Sequence, residues 1–226
     1  MKVAIHQPHF FPWLGYLNKM KSADVFVLLD DTQFAKRDWQ HRNYIANQGC
    51  KSLLTVPLVK SSHTTQLKSK LISYDYNWPQ KTWNKIYNNY HRSPYWHLYN
   101  DKLHEVLFSM KENFSDLCFD MIEYLRNSFN IKTKILRSSD LGPKNSKKND
   151  LVIEICKVLG AHSYISGLGA KSYIIEENFQ QSGITIYWQD YQHPTYVQHD
   201  SQDVFRSHLW AIDALMNLGP NARELI

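Results

Sequence analysis

Residues 1–31 read MKVAIHQPHFFPWLGYLNKMKSADVFVLLDD, and this stretch decides the fold. Residues 2–6, KVAIH, form an apolar run that predicts a buried strand. Segment 13–23 places Leu14, Leu17 and Met20 at helical spacing, with Lys19 and Lys21 near its end, as a helix C-terminus favours. Segment 24–30, DVFVLLD, is apolar almost throughout, the pattern of a strand covered on both faces. Strand, helix and strand in such close succession make a βαβ unit with parallel strands. A structural connection between the first strand and the helix needs only a turn. Instead the chain places there His6, Gln7, Pro8, His9, Phe10, Phe11, Pro12 and Trp13.

Beyond this unit the pattern changes and then returns. Within 31–75, FAKRDWQHRNYIA, KSLLTVPLV and LKSKLISYD read as short strands or hairpin arms. Residues 79–129 show apolar spacings of three and four and read as helices. Alternation resumes with a strand at 132–139 and a helix over NDLVIEICKVLG. That helix is expected to bury Leu151, Ile155, Val158 and Leu159, with Asn149 as N-cap and Gly160 as its stop. HSYISG then reads as a strand, AKSYIIEENFQQSG as a helix and ITIYWQD as a strand. FRSHLWAIDALMNLG reads as a last helix ended by Gly219 and Pro220. The expected fold is α/β: a mostly parallel sheet flanked by helices, with an inserted β-rich flap and a helical segment in the middle. In domain terms this is a single α/β domain, 1–226, with an insertion at about 31–129, β-rich over 31–75 and helical over 79–129.

Composition narrows the function classes. Hydrophobic residues make up 43% and charged residues 21%, ordinary for a globular chain. No apolar run approaches a membrane span. The first residues carry His, Gln and Pro where a signal peptide needs apolar side chains, so a cytoplasmic location is expected. Cys50, Cys118 and Cys156 form no CxxC pair and read as reduced, structural thiols. Lys plus Arg number 26 against 21 Asp plus Glu, an excess that suits an anionic small molecule. No dense basic stripe points to nucleic acid. The nearest approach, GPKNSKKND at 142–150, reads as a solvated loop. The 14 Tyr, 10 Phe and 7 Trp often stand beside polar residues, a pairing that suits sugar rings and bases.

Ligands of open α/β sheets bind beyond the carboxyl ends of the strands, and four predicted strand ends here carry polar, aromatic or Gly-rich sequence: HQPHFFP, LDD, SGLGA and, after the strand at 184–188, QDYQHPTY. His6 closes the first, where an imidazole can serve as general base or as a phosphate and sugar contact. Gly15, at the start of the helix, permits close approach of a ligand or another backbone. Asp30 and Asp31 close the second strand and can bind a sugar hydroxyl, orient a histidine or hold a divalent cation with solvent; equally, Asp31 can cap a turn. Thr32, Gln33 and Lys36 follow them. SGLGA, with Ser166, Gly167 and Gly169, exposes backbone N–H groups that suit a phosphate, although a tight turn explains it nearly as well. Lys36, Arg37, His41 and Arg42 surround Trp39, a grip for phosphate and ring or else a solvated hairpin. No HxxxH or HExxH spacing assigns a metal, and no cofactor is assigned.

Several of these motifs occur together in an order that resembles the WbqC-like proteins. The similar residues are His6, Gln7, Pro8, Gly15, Lys19, Asp30, Asp31, Gln33, Trp39, Arg42 and Asn43. Later ones are Ser166, Gly167, Gly169, Ala170 and Tyr173, then Pro194, Tyr196, Asp213, Asn217 and Gly219. One departure is Trp210, where the family's pattern has a small polar residue. The resemblance implies a place in bacterial surface-polysaccharide or glycoconjugate biosynthesis. It implies an enzyme that transfers an acyl or aminoacyl group to the amine of a nucleotide-linked sugar. His6, Asp30 and Asp31 would be catalytic. Gln7, His9, Gly15, Lys19, Gln33, Trp39, Arg42, Asn43, Ser166, Gly167, Gly169, Tyr173, Tyr196 and Asp213 would bind substrate.

Expected partners are a nucleotide-linked sugar or other phosphorylated small molecule and an acyl or aminoacyl carrier protein, with no nucleic acid and no membrane insertion. Two alternatives stand beside this reading. One is a nucleotidylyltransferase-like or ATP-dependent amide-forming enzyme, of whose HxGH signature His9 and Gly15 are a distant echo. The other is a non-catalytic sugar- or carrier-binding partner.

Overall fold

The computed structural model describes residues 1–36, 38–199 and 204–226; Arg37 lies outside them. The described residues divide into two compact units.

The first unit comprises Met1–Gln7, Gly15–Thr32 and Lys132–Gln192. It contains strands β1 (Lys2–His6), β2 (Val25–Leu28), β5 (Lys134–Arg137), β6 (Ser163–Gly167) and β7 (Thr185–Gln189). These form one parallel sheet in the order β5-β2-β1-β6-β7. Val3 pairs with Val25 on one edge and Tyr164 on the other, and successive residues Val3, Ala4 and Ile5 are all buried, so the central strand is covered on both faces and reads as an unbroken apolar run. Helix α1 (Leu14–Lys21) leads from β1 to β2. Helices α5 (Lys148–Val158) and α6 (Glu176–Gln181) precede β6 and β7. Val3, Ile5, Val25, Val27, Ile155, Cys156, Tyr164 and Phe179 share one core, each large apolar side chain contributing about 1.5–3 kcal/mol on burial.

The chain first builds outward from β1 through β2 to β5. It then returns to the other side of β1 through β6 and β7. The strand order therefore reverses between β1 and β6, which makes their carboxyl ends the topological switch of the sheet.

The second unit comprises Pro8–Leu14, Gln33–Ile131 and His193–Ile226. It holds an antiparallel hairpin of β3 (Arg42–Asn47) and β4 (Cys50–Thr55). The hairpin turns at Gln48 and Gly49, both at positive φ, as a two-residue primed turn requires. Helices α2 (Trp78–Tyr90), α3 (Trp96–Leu107), α4 (Phe114–Ser128) and α7 (Ile212–Leu218) complete it. Asn113 caps α4 by accepting from Ser115 N at 2.8 Å. The aromatics of the opening loop belong here: Phe11 packs edge-on against Trp210 at 4.8 Å, and Ala211 N donates to Pro12 O at 2.9 Å.

The α/β fold with its parallel sheet and small antiparallel hairpin is as expected, and several local readings are corrected. The LKSKLISYD arm is a 3-10 turn at Leu67–Ser69 followed by isolated bridges, Leu58 with Ile72 and Leu71 with Asn113. Asn149 is not an N-cap. The helix starts one residue earlier, at Lys148, and the Asn149 side chain donates to Tyr173 O. In the same helix Ile153 and Cys156 are buried with Ile155, while Val158 faces solvent. α6 and α7 are shorter than their apolar periodicity suggests. Pro220 does not end structure but stands second in a 3-10 helix, Gly219–Leu225. Cys118 and Cys156 are buried, Cys50 is exposed, and none is disulfide-bonded. Among the described residues no helix is long and apolar enough to cross a membrane.

Candidate functional site

At the carboxyl end of β1 the chain fixes an imidazole. A carbonyl can only accept, so the 3.0 Å contact between His6 Nδ1 and Gln7 O requires Nδ1 to carry the proton. Nε2 is then the basic nitrogen of the neutral ring. The His6 ring also meets Tyr16 edge-on at 4.7 Å, and the Tyr16 hydroxyl donates to the same Gln7 carbonyl at 3.3 Å. The Gln7 side chain donates to Thr32 Oγ1 at 3.1 Å, and Thr32 in turn donates to Leu29 O. The end of β1 is thereby tied to the end of β2.

From β2 the hydrogen bonds continue to β5. Asp30, fully buried, accepts from Ser138 Oγ at 3.1 Å, Ser139 N at 3.0 Å and Ser139 Oγ at 2.8 Å. Asp31 accepts from Ser138 Oγ and pairs with Lys144 Nζ at 2.9 Å. The segment 142–147 is a largely exposed loop, as expected, but the Lys144 side chain is only 4% exposed. Its ammonium is drawn inward by Asp31 and by the carbonyls of Ser138 and Gly142. The two aspartates thus organise the ends of β2 and β5, while His6 takes its orientation from the Gln7 carbonyl.

Behind the switch lies Lys19 of α1, 4% exposed. Its amine donates to Ile5 O at 2.8 Å and stands 5.9 Å from the centre of the Tyr164 ring. Burial alone pulls its pKa down to about 7, because desolvation penalises the charged form. On β6, Ser166 is fully buried. It acts on the Tyr164 hydroxyl two residues earlier, yet its own hydroxyl makes no hydrogen bond of full geometry among the described residues. A Cβ added at Gly167 or Gly169 would meet nothing within 4 Å, so the backbone after β6 is approachable. Gln189, last in β7, donates to Gly15 O at 2.8 Å and to Asn18 Oδ1 at 2.6 Å. The first unit therefore brings His6, Gln7, Asp30, Asp31, Ser166, Gly167 and Gly169 to the strand ends and the turns that follow them, with Gly15 and Lys19 on α1. Tyr173 is exposed, and its carbonyl accepts from the Asn149 side chain; it is not brought to the strand-end networks.

The remaining candidates belong to the second unit. Asp213, fully buried on α7, accepts from Tyr90 at 2.8 Å, Tyr196 at 2.7 Å and Gln198 Nε2 at 2.9 Å. Tyr90 also accepts from Ala46 N at 3.1 Å, linking α7 through α2 to β3. Asn43 donates to Phe11 O at 2.6 Å, and Gln33 donates to His63 O at 2.5 Å. His9 is buried, and that burial lowers its pKa to about 4 against the partial opposition of Asp38. Trp39 is exposed, with the Arg42 guanidinium 5.8 Å from its ring.

Ser138, Ser139, Lys144, Tyr90 and Gln198 are further members of these networks, and sequence reasoning did not single them out. SSD after the fifth strand offered a signal, since a strand end rich in Ser and Asp is where the placement rule looks. Among the described residues no group of three His, Cys, Asp or Glu side chains is placed to hold a metal ion.

The uncharacterized protein Rv1507c of Mycobacterium tuberculosis (strain ATCC 25618 / H37Rv) is 29% identical, over 100% of this chain and 97% of that protein. No solved structure matches. Residues 7–225 match the WbqC-like protein family, nearly the whole chain, and the chain belongs to that family.

Proposed function

We propose that this protein is a group transferase that acylates or aminoacylates the amine of a nucleotide-linked sugar, in surface-polysaccharide or glycoconjugate assembly. The observation that supports it most is the His6 tautomer, with Nδ1–H tied to Gln7 O at the end of a central parallel strand. Nε2 is left as the nitrogen that can take a proton. In the proposed step the sugar amine nitrogen attacks the donor's carbonyl carbon. The new C–N bond forms as the bond from that carbon to the leaving sulfur or oxygen breaks, and the leaving atom keeps the electron pair. The amine proton passes to His6 Nε2 and from there to the leaving group. A base in this role is worth about 10²–10⁴-fold, with positioning supplying the rest. Approachable backbone at Gly167 and Gly169 offers N–H groups to a phosphate, and an anion held there would favour the charged form of Lys19.

A second reading, a nucleotidylyltransferase-like or ATP-dependent amide-forming enzyme, is favoured by the strand order. A parallel sheet that reverses beside its first strand is the arrangement of mononucleotide-binding folds, an argument by analogy of fold alone.

The test is His6→Gln, assayed with nucleotide-linked amino sugars and thioester donors. Turnover should fall about 10²–10⁴-fold while the sugar nucleotide still raises the melting temperature as it does for the parent protein. Unchanged turnover rejects His6 as the base. Stabilisation by ATP with magnesium, and by no sugar nucleotide, selects the second reading. Binding without turnover in the parent protein selects a non-catalytic partner.

A further inference from the structure

In the second unit a buried lysine and a histidine meet on one aromatic ring, Phe34. Gln33 bridges to Gln66, and Phe34 N donates to Thr65 O at 3.1 Å, which aligns Phe34 with the Leu67–Ser69 turn. Lys70 is the C-cap of that turn, and its carbonyl accepts from Phe114 N at 2.8 Å. Its ammonium, on a residue only 6% exposed, stands 4.9 Å from the Phe34 ring centre and donates to Ser61 Oγ. His41 meets the same ring edge-on at 5.2 Å, held by its carbonyl, which accepts from Val56 N at 2.8 Å.

The charges acting on this group are of one sign. Arg42 and Lys70 act on His41, and Lys36 acts on Lys70. Burial and those two cations pull the His41 imidazole down to about 4. Its Nδ1 is buried with no hydrogen-bond partner among the described residues. The nearby carboxylate of Asp38 accepts from Trp39 N and acts on His9. The Phe34 face and the Ser61 hydroxyl stabilise the Lys70 ammonium in part, but neither carries a negative charge to offset its desolvation and the cations beside it. A multiply charged anion offsets both, because one ligand then faces several positive groups at low effective dielectric.

We propose that Lys36, His41 and Lys70 form a binding site for a phosphate or pyrophosphate group. Lys70 supplies the buried charge, Lys36 the exposed one, and His41 a nitrogen that becomes a second donor once the anion favours its protonation. The site stands apart from the reading of His6, and its ligand can be a nucleotide or a phosphorylated sugar.

Calorimetric titration of the full chain with inorganic pyrophosphate, paired with NMR titration of the histidine rings, tests it. Saturable binding is expected, weakened about tenfold or more in Lys70→Gln and about threefold in Lys36→Gln. Saturating pyrophosphate should raise the His41 titration midpoint by about one unit or more. Lys36 is exposed, so Lys36→Gln keeps the test open if Lys70→Gln fails to fold. A nucleoside diphosphate or a sugar 1-phosphate binding more tightly than pyrophosphate supports the site and names the source of the phosphate. Absence of pyrophosphate binding, binding in both variants as tight as in the parent protein, or a His41 midpoint indifferent to pyrophosphate overturns it.

Discussion

Lys19 shows how one side chain couples the site to stability. Its amine is buried against Ile5 O and its pKa falls from 10.5 to about 7. Between those values the unfolded chain keeps a proton that the folded chain has released. Stability therefore rises with pH across that window and is lowest below it. Lys70 shifts in the same direction, so the Lys19 contribution is read as a difference between two proteins. In urea unfolding at pH 7 and pH 9.5, the parent protein should gain about 3 kcal/mol more than Lys19→Met over that interval. Equal gains would place the Lys19 amine in contact with water. A lysine held at this cost at the switch of a parallel sheet is a candidate for function and not for stability. Helical spacing and charge do not separate it from Lys21, two residues on and exposed; only the motif resemblance singles it out. What distinguishes them is which face of α1 lies against β1, and only the packed structure supplies that.

At the scale of elements, α7 depends on how it ends. Gly219 has φ of +59° and ψ of −135°, a region open to glycine. A Cβ there would lie 2.3 Å from Tyr95 Cδ1. Gly219→Ala should cost more than about 2 kcal/mol in denaturant unfolding, since strain adds to overpacking. Gly160→Ala, at φ +66° with open space around it, should cost about 1 kcal/mol. Equal losses would remove the Tyr95 clash from the account.

Both glycines were legible as helix stops, because a helix end in the left-handed region selects glycine. The five parallel strands were legible too, since apolar runs bounded by polar turns leave few alternatives. The end of helical periodicity was harder to read. The 205–219 pattern is apolar at helical spacing, yet its first part is held by a bridge between Trp13 and Trp210 and by Trp210 N donating to Tyr44 O. Such tertiary bonds override local propensity.

For the whole molecule the informative feature is how the chain is shared between its units. Residues 8–14 and 193–226 group with 33–131 through Phe11 against Trp210, Asn43 to Phe11 O, and the Asp213 node joining Tyr90, Tyr196 and Gln198. These contacts link distant parts of the sequence, and no local pattern announces them. The opening loop answers its own puzzle in the same way. His6 and Gln7 organise a strand end in one unit, while Phe10, Phe11 and Pro12 fill and fasten the other.

The candidate residues were legible as a set, because strand ends and a shared motif order pointed to them. Their grouping was not, since Arg42, Tyr196 and Asp213 fall in one unit and His6, Lys19 and Asp30 in the other. If the proposed function holds, the strand-end site around His6 takes the substrate. The most direct measurement follows the ring signals of the 11 histidines by NMR during titration with nucleotide-linked amino sugars, with His6→Gln identifying its resonance. A saturable shift of the His6 signal is the predicted result. A ligand that saturates the protein and moves only other histidines, His41 among them, while His6 stays still would contradict the claim.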